Sequence, residues 1–160
     1  MARRPTEGDR IEAKRRLLSG LADGADAHDL AAAVADLHPK NNTFPGEVFM
    51  EVAADAFDVA DISRDNSIPY EGLREVHLPE CAFRGRENRK IQYAILTSAA
   101  WRAGLEPDLL DEVVWWRTDD FWRYGLFAAV AVIRACSARL DIPVSEFVER
   151  LAQVHGLEVS

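Results

Sequence analysis

The chain is 160 residues long, 48% hydrophobic and 29% charged, with a net charge of −8. Length and composition fit one ordinary folded domain and exclude a disordered or low-complexity chain. The acidic balance opposes nucleic-acid binding by the domain as a whole.

Nothing reads as exported or membrane-spanning. The longest uncharged run in the most apolar stretch goes from Tyr124 to Ile133, between Arg123 and Arg134, well short of the ~20 apolar residues a bilayer requires. Met1 to Leu18 carries Arg and Lys without the apolar stretch of a signal peptide. Cys81 and Cys136 make no Cys-x-x-Cys motif, so reduced thiols are expected rather than a disulfide framework. A cytoplasmic location is the expectation.

In chain order, Thr6 with Asp9 predicts a capped first helix to about Leu21, stopped by Gly20 and Gly24. Its apolar side is thin (Ile11, Leu17, Leu18, Leu21), so residues 1–24 are expected to form a loosely packed N-terminal helical arm. Asp26 and Asp29 open a second short helix carrying Leu30, Val34 and Leu37, with an end expected at His38-Pro39. The stretch from Lys40 to Thr43 reads as a turn. Pro45 suits the first turn of a third helix, where Val48, Phe49, Val52, Ala53, Ala56, Phe57 and Ala60 make a regular apolar series.

Residues 61–67 are polar and irregular, Pro69 to His77 suits a short helix, and a loop runs to Gly85. A helical pattern then covers about Arg86 to Ala103, with Gly104 at its stop, and Pro107 opens another carrying Leu109, Leu110, Val113 and Val114. Thr118 is placed to cap the longest helix, with Asp119 and Asp120 complementing its dipole. Trp122, Leu126, Ala129, Ile133, Cys136 and Leu140 line one side of it, while Phe121, Phe127, Val130 and Val132 make its other faces apolar too. A last helix starts near Pro143, buries Phe147, Val148 and Leu151, and ends at Gly156. No period-2 strand pattern, hairpin dipeptide or internal repeat occurs. The expected fold is all-α: residues 1–160 as a single compact irregular bundle of about six to eight helices around a buried central helix at about 118–140.

Each candidate site has a plain alternative. Arg84, Arg86, Arg89 and Lys90 put four cations beside Gly85 at a helix start, where free N–H groups attract anions; the alternative is pairing with acidic faces of the same chain. Glu47, Glu51, Asp55 and Asp58 form an acidic stripe on the third helix, with like charges at unfavourable spacing. Such a stripe suits a metal or a basic partner, but no Glu-x-x-His motif accompanies it, and a solvated or internally paired face is the expectation. Residues 61–68 imitate the front of a calcium loop, but Asn66 stands where glycine belongs and Gly72 where the bidentate glutamate belongs. They read as a polar connection.

Trp115, Trp116, Phe121, Trp122, Tyr124 and Phe127 crowd around one helix junction. Adjacent Trp115 and Trp116 cannot both face one core, and an exposed tryptophan beside Asp119 resembles an interface hot spot; packing on two sides of a buried helix is the alternative. Ala138 to Arg150 has a helix-turn-helix rhythm, but Glu146 and Glu149 with a single Arg150 do not suit a DNA-reading helix. His77 and Cys81 flank Pro79 and lack a third group to orient a base. No Walker loop, Gly-x-Ser-x-Gly, His-Glu-x-x-His or dinucleotide fingerprint is present.

The first functional expectation is a non-catalytic helical interaction or regulatory protein, binding a protein partner or a second copy of itself through Trp115, Trp116, Asp119 and Trp122. The second is an anion or nucleic-acid contact through Arg84, Arg86, Arg89 and Lys90, aided by Arg3, Arg4, Arg10, Lys14, Arg15 and Arg16. A third is a small enzyme or metal site near His77, Cys81 and the acidic stripe. No cofactor, metal ligand set or membrane contact is expected.

Overall fold

The computed structural model describes residues 6–40, 44–60 and 121–158. Among these residues are five α-helices, one 3₁₀ helix and no strand. They are α1 (Glu7–Ala22), α2 (Ala27–Val34), the 3₁₀ helix (Ala35–Lys40), α3 (Gly46–Val59), α4 (Phe121–Leu140) and α5 (Val144–Val154). None of the described helices is long and apolar enough to cross a membrane.

The helix starts follow local chemistry. Thr6 Oγ1 accepts from the Asp9 N–H at 3.1 Å and Asp9 Oδ2 accepts from the Thr6 N–H at 2.9 Å, a reciprocal cap that occupies two otherwise orphaned donors. Asp26 Oδ1 caps α2 by accepting from the Asp29 N–H at 2.8 Å. Pro45 stands one residue outside α3, at its N-cap, instead of within the first turn.

Three of the described ends share one solution. After α1, α4 and α5 the chain turns through a left-handed residue: Gly24 (φ 86°), Asp141 (φ 55°) and Gly156 (φ 67°). Each turn returns two N–H groups to the final carbonyls, as in Ala25 to Gly20 at 2.9 Å, Ile142 to Ser137 at 3.1 Å and Leu157 to Ala152 at 2.9 Å. Glycine adopts this conformation without steric cost, whereas Asp141 is a short polar exception.

Two expected helix stops fall elsewhere. Gly20 lies inside α1. A Cβ there would fall 2.3 Å from Leu30 Cδ2, so the missing side chain makes room for α2. The second helix leaves α geometry after Val34, and a 3₁₀ helix carries the chain through His38-Pro39 to Lys40. Pro39 has no N–H to offer the Ala35 carbonyl, so the α-helical hydrogen bond cannot be made there.

The core is built on α3 and α4. Every member of the apolar series on α3, from Val48 to Ala60, is buried. In α4 all eight residues from Leu126 to Ile133 are at most 1% exposed, and more than two turns of continuous burial leaves no solvent face there. The two helices approach at glycines: a Cβ on Gly125 would lie 2.6 Å from the Gly46 carbonyl oxygen. Phe44, Phe49, Phe57, Phe127 and Phe147 are fully buried, each worth about 1.5–3 kcal/mol of transfer from water.

The remaining helices close around that pair. Helix α4 also packs on α2 and α5, and α1 packs on α5, α2 and α3. Of the thin apolar side of α1, Leu17, Leu18 and Leu21 enter the core together with Ala13, while Ile11 is only partly buried. Cys136 carries a free, buried thiol.

Candidate functional site

The acidic stripe is where α3 meets the helices at both ends of the described chain. Spacing along α3 brings Glu47, Glu51, Asp55 and Asp58 toward one side, leaving Glu47, Glu51 and Asp55 partly exposed and Asp58 exposed. Glu51 Oε1 accepts from Arg10 Nη2 of α1 at 2.5 Å. One turn further, Asp55 Oδ2 lies 3.1 Å from His155 Nε2, at the C-cap of α5.

His155 is held from two directions. Its backbone N–H reaches the carbonyls of Leu151 and Ala152, and its side chain is only 8% exposed. The Nε2 atom is shut off from solvent; its distance to Asp55 suits an ion pair when the ring is protonated, but the angle does not complete a hydrogen bond. Two carboxylates at a repulsive spacing thus face one arginine and one imidazole from different helices, and the Arg10 ion pair offsets the like-charge contact.

The arginines of α1 are similarly engaged. Arg15 bonds Glu12 at 2.8 Å, and Arg16 bonds Glu12 at 3.0 Å and Asp36 at 2.5 Å, while also donating to the Ala33 carbonyl at 3.2 Å. The Asp36 hydrogen bond, followed by that of Glu12, raises the Arg16 pKa above its ordinary value. Lys14 has no carboxylate partner among the described residues. Such largely solvated pairs are worth about 0–1 kcal/mol each; they orient helices more than they hold them.

The stripe therefore has the character of an internally paired face. Among the described residues no three His, Cys, Asp or Glu side chains converge to hold a metal.

Of the aromatic cluster, Trp122 stands in the first turn of α4 at 8% exposure, with Tyr124 and Phe127 also buried. The Phe127 ring lies 6.1 Å from the His28 ring, edge to face, and 5.9 Å from the Arg123 guanidinium carbon. Trp115, Trp116 and Asp119 lie outside the described residues, as do Arg84, Arg86, Arg89, Lys90, His77, Cys81 and the calcium-loop imitation at 61–68. The helix-turn-helix rhythm is real as geometry: α5 follows α4 after a short turn. Its inner side carries Phe147, Val148, Leu151 and Ala152, and the exposed Arg150 is 3.4 Å from Glu146.

Sequence reasoning missed the Arg10–Glu51 and Asp55–His155 contacts. The acidic stripe was a visible half of each, but no local rule pairs side chains from helices so far apart in the chain.

No known protein family, curated protein or solved structure matches this chain. The functional reading rests on its own residues.

Proposed function

We propose that this chain is a non-catalytic helical interaction or regulatory protein of the cytoplasm, which binds a protein partner or a second copy of itself through the aromatic segment around Trp115–Trp122. The scaffold for this role is the irregular bundle of six to eight helices around the helix at about 118–140. The observation that carries the reading is the burial of Trp122 in the first turn of α4, together with Tyr124 and Phe127. That burial ties the aromatic segment at its C-terminal end to the most thoroughly packed helix described. Hot spots work best on a rigid support, because little side-chain and backbone entropy is then left to lose on binding. Trp115, Trp116 and Asp119 are the contact residues in this reading, with Trp122 as their anchor.

The competing readings receive less support. Arg10, Arg15 and Arg16, which would assist Arg84, Arg86, Arg89 and Lys90 on an anion or nucleic acid, are already engaged by carboxylates. Glu51 and Asp55, which would serve a metal or hydrolytic site with His77 and Cys81, face Arg10 and His155.

The test is sedimentation velocity of the purified protein combined with capture of partners from its own cell lysate. Trp115→Ala and Trp116→Ala are expected to abolish association while leaving the helical circular dichroism and the urea midpoint nearly unchanged. Variants that lower the midpoint but associate as the parent does would overturn the reading. Nucleic acid in the captured material, lost on alanine replacement of Arg84, Arg86 and Arg89, would favour the anion reading instead.

A further inference from the structure

Among the described residues, His155 Nε2 is the buried side-chain atom that finds no hydrogen-bond partner. A polar nitrogen so placed is costly while the ring is neutral, because its lost hydration is not replaced. Two features favour a proton and its charge at that atom instead. Asp55 Oδ2 stands 3.1 Å away, and the ring hangs from the C-cap of α5, where the helix dipole stabilises a cation. The last turn of α5 holds no other basic residue. The backbone fixes the ring in place: the His155 N–H bonds the Leu151 and Ala152 carbonyls, and the left-handed Gly156 returns the Leu157 N–H to the Ala152 carbonyl at 2.9 Å.

Helices α1, α3 and α4 pack on α5, and they carry no second histidine. Glu51 and Asp58 stand one turn either side of Asp55 on α3, and Lys14 follows Arg10 by one turn on α1. The charged residues of α4 are Arg123, Arg134 and Arg139, and Glu158 lies just past α5. Carboxylates, arginine and lysine ordinarily keep their charge between about pH 5.5 and 8, whereas imidazole changes its own there.

We propose that Asp55 and His155 form a proton-operated clasp, which ties the C-terminal end of α5 to α3 when the imidazole is charged and contributes nothing when it is neutral. Its contribution is present in acid and lost as the pH rises through the imidazole range. The inference goes beyond the interaction reading and does not depend on it, because none of the residues from Trp115 to Trp122 takes part.

Urea unfolding of the full chain at pH 5.5 and pH 8 tests it. Asp55→Asn is expected to raise the unfolding equilibrium constant, relative to the parent, about threefold more at pH 5.5 than at pH 8. In a His155→Gln background that difference is expected to disappear. Glu51→Gln is the control that needs no histidine variant to fold: its partner Arg10 keeps its charge, so its effect should be the same at both pH values. An Asp55→Asn effect that is no larger at pH 5.5 than at pH 8 would overturn the proposal, as would a difference that persists without His155 or is matched by Glu51→Gln.

Discussion

The contact between α3 and α4 and the contact of α1 and α5 with α3 are made of different materials. The first is apolar and continuous, with two glycines letting the backbones meet. The second adds to its leucines a polar rim: the partly exposed ion pair of Arg10 with Glu51, and Asp55 beside the buried Nε2 of His155. Shape decides the first, because a packed interior cannot absorb even a methyl group cheaply. Charge contributes little energy to the second, because water competes for every partly exposed ion. Stability should therefore depend steeply on the centre and weakly on the rim.

Urea unfolding of point variants can break that contrast, beginning with the largest effect. Phe49 is fully buried in α3, and Phe49→Ala is expected to cost about 3–5 kcal/mol through lost burial and the cavity left behind. Gly125→Ala comes next. Alanine ordinarily improves a helix by up to about 1 kcal/mol, but here the new Cβ meets the Gly46 backbone oxygen at 2.6 Å. Backbone cannot rotate away as a side chain can, so a net loss of about 2 kcal/mol is expected. A neutral result would show that α3 and α4 are able to slide.

Smaller effects belong to the periphery. Asp141 occupies a left-handed position and places a negative charge at the C-terminus of α4. Asp141→Gly removes both penalties and is expected to stabilise by about 0.5–1 kcal/mol, read as a higher urea midpoint. Arg16→Gln is expected to cost about 0.5 kcal/mol. The raised pKa of Arg16 makes its contribution complete below the ordinary guanidinium range and lost only in strong alkali, so the penalty should be equal at pH 7 and pH 9. A penalty that vanished by pH 9 would contradict this assignment. The smallest change is expected for Gly20→Ala, where the obstructing atom is the movable end of Leu30; helix propensity and repacking should nearly cancel, and a loss comparable to that of Gly125→Ala would erase the distinction between centre and rim.

Much of the local structure was legible beforehand. The Thr6–Asp9 cap, the apolar series on α3, the near-continuous burial of α4 and the Gly24 and Gly156 stops all follow from propensity and periodicity acting over a few residues. The misreading of Gly20 has a tertiary cause: it looks like a stop until Leu30 is seen against it. Of the candidate sites, the acidic stripe was visible as a spacing, but its partners were not.

The sequence by itself determined the helical class, the ends of most described helices and the faces they would bury, because these depend on interactions within one or two turns. Only the tertiary structure decided that α1 lies on α5, that Gly46 faces Gly125, and that Glu51 and Asp55 are met by Arg10 and His155. Those choices depend on which helix faces fit together in three dimensions. Apolar burial drives the association without specifying the partner, and shape and charge complementarity between distant segments select it.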